Sequence, residues 1–141
     1  MDGESIMQTF LVYEDPIKSA AALDPKRRFS QIYEGIHILA SNLGMSDKLM
    51  NPKRSVINHS IAKLWYGHNG ALYAYIMAHY AVWSVYDRKS TDPTINEINL
   101  RFLSSYCTGP VAVPVRVKER IPEYRKLLLA KYPSFYSKYG W

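Results

Sequence analysis

Two groups of side chains carry what chemistry this sequence offers. One is a carboxylate, Glu34, on a polar stripe with Arg27, Gln31, His37 and Ser41, whose steps of three and four residues put them on one face of a helix. The stripe lies opposite an apolar face, so Glu34 is expected to project from the solvent or cleft side, beside basic residues, where a carboxylate can do acid–base work. The other group is the C-terminal tail. From Arg116 onward, Arg116, Lys118, Arg120, Arg125, Lys126, Lys131 and Lys138 face only Glu119 and Glu123, so the last 26 residues hold +5 of the formal charge of +6. Tyr124, Tyr132, Phe135, Tyr136, Tyr139 and Trp141 are interleaved with them, flat π surfaces among cations, as a groove for strands or flipped bases requires. The same composition also describes aromatic anchors packed on a core beneath a solvated basic face.

Other chemistries lack their residues. His37, His59, His68 and His79 have no paired spacing with carboxylates or cysteines, so neither a metal site nor a cofactor is expected. No phosphate-cradling Gly-rich loop and no nucleophile elbow is present. Cys107 stands alone beside Thr108-Gly109; a single thiol excludes an intrachain disulfide and suits a reducing compartment.

The elements that must position these groups read as helices. Asp15-Pro16 supplies an N-cap and a first-turn proline for a short helix over Ile17 to Leu23, and Asp24-Pro25 repeats the signal. Phe29, Ile32, Tyr33, Ile36, Leu39, Ala40 and Leu43 then follow a helical face ending at Gly44. Residues 45–57 read as a surface loop. Asn58 is a candidate N-cap for a turn or two through Tyr66, before Gly67 and Asn69-Gly70 interrupt. From Ala71 to Tyr86 apolar residues occur nearly all round, as in a central helix. Asp92-Pro93 opens another, with Ile95, Ile98, Phe102 and Tyr106 on its apolar side, closed by Gly109-Pro110. Pro110 and Pro114 bound an extended connector, and Pro122 begins a last helix that stops before Pro133.

The chain has 141 residues, 48% hydrophobic and 21% charged, with 7 glycines and 8 prolines, a balance that excludes disordered and collagen-like classes. The length suits one domain with its own core, and the fold class expected is all-α. No apolar run approaches the roughly 20 residues of a membrane span, and the acidic opening Met1 to Ser5 is unlike a basic signal peptide. The expected location is therefore intracellular, cytoplasmic or nuclear, or packaged in a virion.

Three separated stretches together resemble the pyrimidine-dimer DNA glycosylase family. Met7 to Tyr13, then Ala22-Leu23-Asp24 through Glu34 and Ile38-Leu39, are similar to that family's N-terminal half. Asn58-His59, Leu64-Trp65, Gly67, Ala71-Leu72, Tyr75 and Trp83 follow its central region, and Pro133 to Gly140 is similar to its aromatic ending. The resemblance implies a single helical domain over 7–141, with 1–6 as an N-terminal extension, that kinks duplex DNA and extrudes a nucleotide. It implies attack on the deoxyribose C1′ by an amine, the α-amino group in relatives, whose ordinary pKa near ~8 leaves a fair neutral fraction. That role would fall to the amine of Met1, with Glu34 shuttling protons. It also implies that Arg27, Phe135, Tyr136, Lys138 and Tyr139 contact the DNA. Ser30-Gln31-Ile32 stands where many relatives carry Lys-Gln-Arg, and residues 1–6 displace the terminal amine, changes that weaken catalysis. The leading expectation is thus DNA binding of the base-excision-repair type, with glycosylase and lyase chemistry reduced. The rival is a non-catalytic structural or interaction protein on the same fold, held by protein assembly partners.

Overall fold

A computed structural model describes residues 9–52 and 60–141. Expectations for Met1, for the extension 1–6, for the 53–57 part of the expected loop and for Asn58 as an N-cap fall outside the described residues. Among the described residues every regular element is helical: α1 (Pro16–Ala22), α2 (Pro25–Asn42), α3 (Ser60–Leu64), α4 (Asn69–Tyr86), α5 (Ile95–Leu103), α6 (Val115–Lys118), α7 (Ile121–Lys131) and α8 (Pro133–Tyr136). The fold is all-α, and no described helix is long and apolar enough to cross a membrane.

Asp15 and Asp24 cap α1 and α2. The carboxylate of Asp15 accepts from the Ile17 N–H and that of Asp24 from the Arg27 N–H, each with proline in the first turn. The Arg28 guanidinium crosses the corner between these helices, donating to the carbonyls of Ala20 (2.9 Å) and Leu23 (2.6 Å) and pairing with Asp87 at the end of α4. It thereby closes the end of α1, adding to the Leu23 N–H bond on the Ala20 carbonyl and taking up the Leu23 carbonyl just beyond the helix.

α2 and α4 make the largest helix–helix contact and run antiparallel, with Phe29 against Trp83 near one end and Gly35 against Ile76 further along. A Cβ on Gly35 would lie 2.6 Å from Ile76 Cγ1, so only glycine permits this approach. Ile32, Ile36, Leu39, Trp65, Leu72, Tyr75 and Ile76 fill the core between and around the two helices.

The segment Thr9 to Val12 is buried without belonging to any helix or ladder. Side chains take up its backbone groups. Phe10 N–H donates to Gln31 Oε1 (2.8 Å), Val12 N–H to Ser19 Oγ (2.9 Å), and Val12 C=O accepts from Arg125 Nε (2.9 Å).

The structure corrects several expectations. The polar stripe of α2 does not face solvent: Gln31, His37 and Ser41 are buried, because helices and the Thr9–Val12 segment surround α2. Asn69-Gly70 opens α4 instead of interrupting the chain, and Gly70 lies where a Cβ would meet the carbonyls of residues 108–110 at 2.8–3.0 Å. Within 45–52, Ser46–Lys48 forms a 3-10 turn and Leu49 is buried. α5 starts at Ile95, and its buried side is Asn96, Asn99, Leu100 and Leu103, whereas Ile98, Phe102 and Tyr106 are exposed. The Asn99 amide explains the reversal. Its Oδ1 accepts from Met50 N–H (2.9 Å) and its Nδ2 donates to Met50 C=O (3.2 Å), so a polar side chain ties the 45–52 loop to the bundle.

Candidate nucleic-acid interface

Glu34 is half-buried on α2, one turn beyond Gln31. Gln31 Oε1 accepts from both the Phe10 N–H and the Tyr75 hydroxyl, which joins α2, α4 and the Thr9–Val12 segment beside the carboxylate. Burial, and next the neighbouring Tyr124, hold the Tyr75 hydroxyl well above the ordinary tyrosine range, against an opposing hydrogen bond at Phe10, with Glu34 adding the smallest push upward. Tyr75 therefore remains a hydrogen-bond donor here. Trp65 Nε1 donates to Thr9 Oγ1 (3.3 Å) on the same side of the core.

Arg27 and Glu34 are seven residues apart on α2, nearly two turns, so they share one face at a separation of about 10 Å along the axis. Arg27 borders a cleft of about 550 Å³ lined by Asp24, Pro25, Lys26, Arg27, Lys131, Tyr132 and Phe135. Its guanidinium pairs with Asp24 (3.3 Å) and lies 5.5 Å from the Tyr132 ring centre. Tyr132 and Phe135 are nearly parallel, with centres 5.8 Å apart. Lys138 Nζ sits 4.0 Å from the centre of Phe135. Cations and flat rings thus converge at the start of α2, an arrangement able to take phosphates and unstacked bases.

The tail cations divide by role. Arg116 donates to the carbonyls of Leu64 (2.6 Å) and Tyr66 (2.9 Å), and Arg125 is held between the Tyr13 and Trp141 rings (4.9 and 5.2 Å) while bonding Val12 C=O. Both tie segments of the chain together, Arg116 from an exposed position. Arg120 pairs with Glu123, whereas Lys131 lines the cleft and Lys138 lies against the ring of Phe135, which lines it too.

The chain matches, over residues 7–93, the family model described as pyrimidine dimer DNA glycosylase. It belongs to that family. No curated protein and no solved structure gives a significant match. The matched span runs from ahead of α1 to beyond α4 and so includes Arg27 and Glu34, while the aromatic tail lies outside it.

Of the residues that the family resemblance singled out, the structure brings Arg27 and Phe135 to one cleft, with Lys138 against the Phe135 ring, and sets Glu34 two turns along α2. Tyr139 is half-buried beside them, its hydroxyl donating to Ala22 C=O (2.9 Å). Met1 lies outside the described residues. Tyr136, which the resemblance put at the DNA, is 0% exposed, packed against Phe135 (4.8 Å) and Trp141 (5.7 Å). It offers no surface to a duplex, because its hydroxyl is turned inward to Asp24. Lys26, Lys131 and Tyr132, which the resemblance does not single out, line the same cleft. Their signal was the second Asp-Pro, which fixes where α2 begins, together with Pro133, which turns the chain after α7 back toward it. No group of three His, Cys, Asp or Glu among the described residues could hold a metal.

Proposed function

We propose that this chain binds duplex DNA through the Lys26, Arg27, Lys131, Tyr132 and Phe135 cleft, helped by Lys138 beside Phe135, and acts on a damaged nucleotide with Glu34 as its proton-transfer group. The observation that carries this reading is the shared face of α2, which sets a basic aromatic cleft and a half-buried carboxylate about 10 Å apart, within a chain of the glycosylase family. In the reaction implied by that family, an amine bonds to the deoxyribose C1′ as the base departs, giving a Schiff base. Loss of the C2′ proton then expels the 3′ phosphate. Glu34 serves the proton steps on the opened sugar.

One observation favours the second reading, a protein that binds DNA without turning it over. Ile32 is wholly buried and Ser30 Oγ donates to Arg27 C=O (2.9 Å). Neither position can supply positive charge near the carboxylate, so electrostatic support for the transition state is thin there. On this reading turnover is weak or absent.

Two measurements test the reading. With Lys26, Arg27, Lys131 and the neighbouring Lys138 neutralising about four phosphates, log K should fall with a slope near ~3.6 per decade of salt. Absence of binding at low salt would remove the nucleic-acid reading. On DNA carrying an abasic site, borohydride should trap a weak covalent adduct, and Glu34→Gln should lower strand cleavage roughly a hundredfold while preserving affinity. Firm binding with no adduct would leave the non-catalytic reading.

A further inference from the structure

Tyr136 is wholly buried, yet it is one hydrogen bond removed from the cleft. Its hydroxyl oxygen accepts from the Asp24 backbone N–H (2.9 Å), and its proton goes to Asp24 Oδ1. Asp24, only 4% exposed, uses the same carboxylate to accept from the Arg27 backbone N–H (3.4 Å) and from Arg27 Nη1 (3.3 Å). The Tyr136 ring is fixed by Phe135, Tyr139 and Trp141 around it, so its hydroxyl is a rigid point against which the carboxylate is set. A carboxylate held by a buried phenol cannot rotate or withdraw, and it keeps its remaining lone pairs aimed at Arg27. The Tyr132 ring also meets the guanidinium, its centre 5.5 Å away.

We propose that Tyr136 is a positioning residue for the nucleic-acid cleft, acting through the Asp24 carboxylate to hold the Arg27 guanidinium where a DNA phosphate can reach it. This rests on the DNA-binding reading and adds to it a residue that never touches DNA. Direct contact by Tyr136 and action through Arg27 make opposite statements about coupling. A contact made by Tyr136 itself would add to that of Arg27, whereas a positioning role vanishes once Arg27 is gone.

The experiment is a duplex-DNA binding cycle at low salt with wild type, Tyr136→Phe, Arg27→Ala and the double variant. Phenylalanine keeps the ring packing and removes only the hydroxyl. Tyr136→Phe is expected to weaken binding about fivefold and to reduce the salt slope by about one, as loss of one phosphate contact would. In the Arg27→Ala background it should change affinity by less than about 1.5-fold. Asp24→Asn gives a second background, because it removes the charge on which Arg27 depends, and there too Tyr136→Phe should have little effect on affinity. An equal loss in all backgrounds, or no loss in wild type, overturns the positioning role while the DNA-binding reading stands. Failure of the wild-type protein to bind DNA overturns that reading, and the positioning role falls with it.

Discussion

Gly35→Ala tests whether the α2–α4 contact that carries Glu34 is as close as the structure shows. The added Cβ would sit 2.6 Å from Ile76 Cγ1 and 3.2 Å from its Cδ1. Cγ1 is a branch carbon near the backbone, and a β-branched side chain in a helix has essentially one χ1 rotamer, so the overlap is relieved only by separating the helices. Overpacking of this kind costs about 1–3 kcal/mol, offset by roughly 1 kcal/mol because alanine favours a helix over glycine. The net expectation is a loss of up to about 2 kcal/mol. Ile76→Ala removes both crowding atoms and leaves only the Ile76 Cβ, at 3.9 Å, in ordinary contact. In that background Gly35→Ala should reverse sign and stabilise by roughly 1 kcal/mol, through helix propensity and partial filling of the cavity. Urea unfolding of the four proteins reads the cycle directly. A Gly35→Ala change of the same sign and size in both backgrounds would refute the close approach.

Two further expectations concern titrating groups. His79 is wholly buried, its Nδ1 bonded to Tyr75 C=O (2.8 Å), and its pKa is lowered to about 4, mainly by burial and further by Arg28. With an unfolded value near ~6.5, the unfolded chain takes up the proton first, so stability is retained above pH ~6.5 and falls by up to about 3 kcal/mol as the pH drops through 4; His79→Leu should lose this component when unfolding is compared at pH 4 and pH 7. Burial pushes the Cys107 thiol up to about 11, and its sulfur lies 3.2 Å from Leu103 C=O. Alkylation by iodoacetamide at pH 8 should run on the order of a hundredfold slower in the folded protein than in urea, and equal rates would contradict this burial.

The helices themselves were legible where local chemistry specifies them. The two Asp-Pro pairs cap α1 and α2 as their residue types require, and the all-round apolar run over 71–86 is the central helix α4. What was not legible was which polar side chains turn inward. Periodicity assigns polar residues to solvent, yet Gln31 and Asn99 are buried because each replaces missing backbone partners, of Phe10 and of Met50 respectively. Those demands come from segments far along the chain that lack regular structure, so no local window contains them. Tyr136 was misplaced for the same reason. Its partner is 112 residues away, and an aromatic beside cations reads equally well as a surface contact or as a buried anchor.

The bonds between the aromatic tail and the α1–α2 corner join residues 112 and 117 positions apart, Asp24 with Tyr136 and Ala22 with Tyr139. Closing a loop of that length costs about 4 kcal/mol in chain entropy, so such contacts are rewarded only after the more local α2–α4 pair has formed. The tail is thus a clasp fastened late in folding and released early in unfolding. Its opening is a partial event, below the free energy of the global transition, that would leave α2 against α4 while loosening Asp24. The cleft's shape therefore depends on contacts that join the two far ends of the described chain, and holding it in shape is a task of topology as much as of local packing.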